Sequence, residues 1–155
     1  MIVVADTSPL NYLILIGDIL QKLYGRVLIP PAVAAELLLP GAPPSVAAWM
    51  RQPPAWLEIR SARGVGPIEL DPGEAAAIAL AEELQANQII IDEDLGRLEA
   101  KRRGIPVIGT IGVLREAHRQ GYLDIHNAFD RLKATNFHIS PLILSRTLKD
   151  LAESI

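Results

Sequence analysis

The sequence predicts an α/β fold, a mostly parallel sheet with helices on both faces, and three observations lead there. Five short β-branched or apolar runs, each too brief for a helix and flanked by turn residues, recur between residues 2 and 108. Helical stretches separate them, and strands alternating with helices imply right-handed crossovers. The third observation is size and composition. With 155 residues, 50% hydrophobic and 21% charged, and a mean hydropathy of +0.24, the chain suits one compact domain over 1–155. A domain of this length buries roughly 68–70% of its unfolded surface, enough for a core without staples.

The strands are expected at Ile2 to Ala5, Val27 to Ile29, Trp56 to Ile59, Gln88 to Ile91 and Pro106 to Ile108. Between them the pattern predicts helices at Pro9 to Ile16, Asp18 to Leu23, Pro31 to Leu38, Gly73 to Leu84, Glu93 to Arg103 and Gly112 to Gln120. Residues Pro40 to Pro54 hold five of the twelve prolines around a short helix, Val46 to Met50, and form an irregular excursion after the second strand. From Gly121 onward everything reads as helical. A C-terminal pair is expected at about 123–152: Leu123 to Ala134, then Ser140 as N-cap, Pro141 at the first helical position and a helix to about Ala152.

Composition excludes several kinds of chemistry. The absence of cysteine removes disulfides, thiolate zinc sites, iron–sulfur clusters and thiol catalysis, and fits a reducing compartment. The opening MIVVAD carries no basic segment, and no run approaches the ~18 apolar residues of a membrane span. A cytoplasmic protein with no membrane partner is the expectation. The net charge of −3 argues against binding nucleic acid by global charge, yet Arg97, Lys101, Arg102 and Arg103 form a local basic cluster. No phosphate-binding loop, nucleophile elbow or dinucleotide fingerprint occurs. His118, His126 and His138 lack metal-ligand spacing and read as structural.

In open parallel sheets ligands bind beyond the carboxyl ends of the strands. Asp6 directly follows the first strand, and Asp92 and Asp94 follow the fourth. Return helices begin at the same edge, which brings in Glu74, in the first turn of its helix, and Glu36, about one and a half turns along another. Each has a structural explanation. Asp71, Pro72 and Glu74 make an N-cap, a first helical residue and a capping-box partner. Asp92, Glu93 and Asp94 could cap a helix, and Glu36 could be the solvent-facing residue of an amphipathic turn. Asp6 could cap the helix that Pro9 begins, although Ser8 is better placed. Collectively the acids pose a problem, because two carboxylates ~6 Å apart repel by roughly 3 kcal/mol at an effective dielectric near 20. A proton, an Arg or Lys, or a divalent cation must compensate, and an all-oxygen donor set suits Mg²⁺ or Mn²⁺.

Read in order, VVADTSPL, PPAVAAEL, DPGEAAAIALA and IIIDEDLGRLEAKRRGIPVIGTIGVL resemble a PIN domain, the nuclease fold of VapBC-type bacterial toxins. The nearest likeness is to a little-characterised PIN-like subfamily of bacteria and archaea. The resemblance covers nearly the whole chain, including the C-terminal helical pair. It implies a three-layer α/β/α sandwich with strand order 3-2-1-4-5 and a four-acid site of Asp6, Glu36, Glu74 and Asp94. Glu74 stands where many such toxins have Asp, and Asp92 where they commonly have Thr. Asp92 and Asp94 share a face on a continuing strand but diverge by about 200° if a helix starts between them.

The implied activity is Mg²⁺-dependent (or Mn²⁺-dependent) hydrolysis of phosphodiester bonds in single-stranded RNA, the toxin role of a toxin–antitoxin pair. Asp6, Glu74 and Asp94 would hold the metal, with Asp92 as a partner and Glu36 nearby. Thr7 or Ser8 would hydrogen-bond a carboxylate or water, and Arg97, Lys101, Arg102 and Arg103 would guide the RNA backbone. Pairs such as Glu93 with Arg97 offer those cations a structural use instead. Trp49 and Trp56 could stack bases or close a core. A cognate antitoxin and a homodimer also follow from the resemblance. The competing reading is a non-catalytic PIN-like module that binds RNA or protein.

Overall fold

Three-residue strands whose side chains are all buried belong in a sheet covered on both faces. Val3–Ala5 (β1) and Val27–Ile29 (β2) are of this kind, and Gln88–Ile90 (β4) buries both isoleucines. Leu57–Ile59 (β3) and Val107–Ile108 (β5) are more open, as edge strands are. In this computed structural model, which describes residues 1–16, 18–137 and 140–153, the five strands form one parallel sheet in the order β3-β2-β1-β4-β5. Val3, Val4 and Ala5 pair with Gln88, Ile89 and Ile90.

The helices lie on both sides of this sheet, and their starts follow from local chemistry. Thr7–Leu13 (α1) continues into a 3₁₀ turn at Ile14–Ile16 and is followed by Ile19–Tyr24 (α2). It starts two residues before Pro9, the expected first residue. A proline in the first turn is tolerated because those N–H groups have no intrahelical acceptor. Asp6, not Ser8, therefore occupies the N-cap position. Pro31–Leu37 (α3) and Pro44–Arg51 (α4) each place proline at the start, so α4 is longer than Val46 to Met50. Pro72–Glu83 (α5) is capped by Asp71, whose side chain accepts the N–H groups of Gly73 and Glu74. Asp94–Arg102 (α6) follows β4. Val4, Leu28, Ile78, Leu80, Ile89 and Ile91 meet in the core on which these elements pack.

The chain divides into two units, Met1–Thr110 and Ile111–Ile155. Thr110–Arg119 (α7) begins at the last residue of the first, two residues before the expected Gly112. The second unit continues with Ile125–Lys133 (α8) and Pro141–Glu153 (α9). In α8, Ile125, Ala128, Phe129 and Leu132 form the buried stripe. Its N-cap is Asp124, which places its start two residues after Leu123. Ser140 Oγ accepts the Ile143 N–H at 3.1 Å, the cap expected for α9. His118 Nδ1 accepts the Ile125 N–H, a structural use, and His126 is exposed; His138 lies outside the described residues. Among the described residues no helix is long and apolar enough to cross a membrane.

One polar tie secures the strand end beside β1. Thr110, fully buried, donates its N–H to Asp92 Oδ1 at 2.8 Å and its hydroxyl to Oδ2 at 2.6 Å. Thr110→Val keeps the shape and removes one of these donors, leaving a carboxylate oxygen without it. Urea denaturation is expected to show a loss of about 1–3 kcal/mol.

Candidate functional site

β1 and β4 lie side by side where the chain connections turn opposite ways, the switch point of an open parallel sheet. A cavity of about 480 Å³ opens in the Met1–Thr110 unit. Its lining holds seven acids, Asp6, Glu36, Glu69, Asp71, Glu74, Glu93 and Asp94, with Thr7, Ser8, Leu70 and Leu95. Among the described residues no Lys, Arg or His lines it. The topology thus brings together residues as far apart in sequence as 6 and 94.

Asp6 is the most constrained of these acids. β1 ends at Ala5, and the Asp6 N–H continues the ladder to Ile90 O at 2.9 Å, which holds the side chain at the buried strand end. The residue is 2% exposed, its side chain makes no cap bond with α1, and its Oδ1 has no hydrogen-bond donor. Burial pushes its carboxyl from 3.8 up to about 7; the Thr7 backbone N–H opposes this, and the charges of Glu74, Glu36 and Asp71 reinforce it.

Glu74 is also buried, at 6% exposure. Burial raises its pKa first, then the charges of Glu93, Asp71 and Glu36, while the Asp71 backbone N–H pulls it down. It lies against α6 at Gly96, where a Cβ would stand at an ordinary 3.5 Å from Glu74 Cδ but only 2.5 Å from Ile91 Cδ1.

Glu36 is held differently. Thr7 Oγ1 donates a short hydrogen bond to its Oε2, and the Gly73 N–H donates to its Oε1 at 3.1 Å. One carboxylate therefore joins the first turns of α1 and α5, next to Asp6 and Glu74. Glycine at 73 makes room, since a Cβ there would lie 2.5–2.8 Å from the Glu36 carboxylate atoms.

Of the two acids after β4, Asp94 opens α6, is exposed and lines the cavity. Asp92 is not among the lining residues, and both its oxygens face Thr110. The basic cluster is largely engaged. Arg97 Nη1 donates to Ile91 O at 3.0 Å, Arg102 pairs with Glu99, and Arg103 pairs with Glu99 and Glu82. Lys101 is exposed in the last turn of α6. Trp49 and Trp56 pack on each other, with ring centroids 5.7 Å apart, and do not line the cavity. Glu69, Asp71 and Glu93 line it although their sequence positions read as a loop and two caps. The signal was the acid density of residues 69–74, where three of six, Glu69, Asp71 and Glu74, are acidic around the Pro-Gly helix start.

Among the described residues, no three His, Asp or Glu side chains are grouped to hold a metal ion as they stand. The donor chemistry nevertheless fits a hard divalent cation: every ligand type on offer is oxygen, and Asp6 Oδ1 is buried with no donor.

A five-stranded parallel sheet of this order, with acids gathered at its switch point, is the nuclease-type architecture of PIN domains. A family model described as DUF3368, PIN domain, matches residues 2–153, and the chain belongs to this family. Among solved structures, a PilT N-terminus domain protein from the hyperthermophilic archaeon Sulfolobus solfataricus P2 is similar. Its identity is 18%, over 90% of this chain and 100% of that one, with a TM-score of 0.49. No curated protein matches the chain.

The buried acids have a consequence for stability. Because the folded-state pKa of Asp6 is raised, its proton stabilises the fold below pH ~4, and this stability is lost as pH rises through about 7. At pH 8 the loss is on the order of 4 kcal/mol. The metal-free Asp6→Asn protein is therefore expected to melt well above wild type at pH 8 and close to it at pH 4. Melting curves whose difference is independent of pH would contradict this.

Proposed function

We propose that this PIN domain is an endoribonuclease dependent on Mg²⁺ or Mn²⁺ that hydrolyses phosphodiester bonds of single-stranded RNA. The observation that carries the reading is the acid cavity without a lining cation, centred on a buried Asp6 oxygen that has no donor. Asp6, Glu74 and Asp94 would hold the ion; Asp92 is a weaker candidate because Thr110 engages both of its oxygens. When bound, such an ion supplies Lewis acidity, acidifying water for attack and offsetting charge on the phosphate. The chain's own contribution is positional. Glu36 links the starts of α1 and α5 and so sets where Asp6 and Glu74 stand, while Ser8 presents a hydroxyl to the cavity.

Family membership supports a further proposal, that the protein is the toxin of a toxin–antitoxin pair, active in the cytoplasm and bound by a cognate antitoxin. Leu95 and Leu98 on α6, 70% and 57% exposed, offer apolar surface for that partner or for a second copy in a homodimer.

The test is cleavage of a panel of single-stranded RNAs with and without Mg²⁺. Asp6→Asn and Asp94→Asn are each expected to slow cleavage at least ~100-fold. Mg²⁺ should raise the melting temperature of wild type at pH 8 and leave that of Asp6→Asn unchanged. Equal cleavage by wild type and both variants rejects the assignment and leaves a binding module. Because Arg97, Arg102 and Arg103 are engaged within the protein, the salt dependence of RNA binding should be shallow. A log–log slope near −1 to −2, that of two or three phosphate contacts, is expected from filter binding.

A further inference from the structure

A second cavity, of about 490 Å³, lies in the same unit between the start of α3, the loop of residues 60–71 and the start of α5. Its character is opposite to that of the first. None of its lining side chains is charged, Ser61 alone contributes a hydroxyl, and Pro30, Pro31, Pro67 and Pro72 supply rigid apolar surface. The two cavities are neighbours, because Leu70 lines both, between Ile68 on one side and Asp71 on the other.

The groove is formed before anything enters it. At one end of its loop the Arg60 N–H donates to Ile29 O at 2.9 Å, and further on the Arg63 N–H donates to Glu83 Oε2 at 2.7 Å. In the middle, Gly66 lies so close to α5 that a Cβ would stand 1.9 Å from the carbonyl oxygen of Ala75. This contact fixes the wall. On that wall Val65 and Ile68 are 88% and 86% exposed, which leaves two large apolar side chains in water beside an apolar hollow.

We propose that this groove is the base subsite of the nuclease, receiving the nucleobase that flanks the phosphate held over the acid cavity. The inference rests on the ribonuclease reading of that cavity. A phosphate finds no charge in the groove, and a base is the uncharged, flat part of the same polymer. The shared lining residue Leu70 places such a hollow next to the acid cavity. A pocket of this size and polarity lies within the range that accepts small planar ligands.

The test uses the full chain, a short single-stranded 2′-O-methyl oligonucleotide that resists cleavage, and 2-aminopurine placed at successive positions as a fluorescent base. One position should change in fluorescence on binding to wild type. The Val65→Ser/Ile68→Ser variant should lose that change and bind roughly tenfold more weakly, with KM for cleavable RNA raised and kcat retained. Ile68→Trp should tighten binding by adding a stacking surface. Both side chains are solvent-exposed, so unchanged melting curves are expected for these variants. Equal affinity and equal fluorescence across all three proteins, with RNA still cleaved, overturns the base subsite and spares the nuclease. Should wild type neither cleave RNA nor bind the oligonucleotide, the nuclease reading falls and the subsite with it. Retained RNA affinity combined with lost binding of an apolar peptide assigns the groove to a protein partner and also overturns the proposal.

Discussion

Removing a carboxylate from water and leaving one of its oxygens without a donor costs several kcal/mol, and Asp6 Oδ1 is in that position. The cost arises from the same features that make the sheet stable. Val3, Val4 and Ala5 on one strand and Ile89, Ile90 and Ile91 along the next are all fully buried, and the acid follows the first of these runs with no polar spacer. Lengthening the strand end to reach water would relieve Asp6, but the bond from its N–H to Ile90 O holds it in the ladder. Stability of the core and discomfort of the acid are therefore two results of one arrangement. A proton relieves it at low pH; a cation would do so at neutral pH, which couples fold stability to ligand binding.

Two of the neighbouring acids are kept close without equal cost because they have donors. Glu36 receives a hydroxyl from α1 and an amide from α5, and Asp71 receives two amides at the α5 start. These two carboxylates therefore stand near Asp6 and Glu74 as satisfied acceptors. Two glycines make the approach possible. Gly73 leaves space for the Glu36 carboxylate, and Gly96 lets α6 come against Ile91 and Glu74. A methyl group at Gly73 would press on the Glu36 carboxylate and one at Gly96 on the Ile91 side chain, so the packing around the site depends on what those positions lack.

The fold was legible because its signals are local. Each buried run announced its strand, and Pro31, Pro72 and Pro141 announced helix starts, since proline at the first helical position has one meaning. Pro9 misled by two residues because proline is also tolerated deeper in a first turn, and the helix instead starts where β1 stops. The gathering of acids needed topology as well as sequence, and the strand order came from family likeness. What could not be read were choices between partners. Asp92 and Asp94 differ only in which neighbour each meets, and Thr110, eighteen residues further on, engages Asp92. Likewise Arg103 lies four residues from Glu99, a visible helical pair, but its second partner, Glu82, lies on another helix.

A polyanion approaching an acidic cavity must find attraction somewhere, and three of the four cations clustered on and after α6, all but the exposed Lys101, are already engaged. Arg97 reaches a carbonyl, and Arg102 and Arg103 hold glutamates. Releasing one of these arginines to a phosphate would leave a protein acceptor without its donor, so the net gain would be small. Under the proposed ribonuclease reading, two further sources of affinity would be a cation in the acid cavity, which would offset part of its negative charge, and uncharged contact with the bases. The first acts at the scissile phosphate and carries no sequence information; the second can discriminate. An acidic cavity that shares Leu70 with a neighbouring apolar groove would separate these tasks in space. A protein of net charge −3 that handled RNA in this way would bind it weakly when metal-free and selectively when loaded.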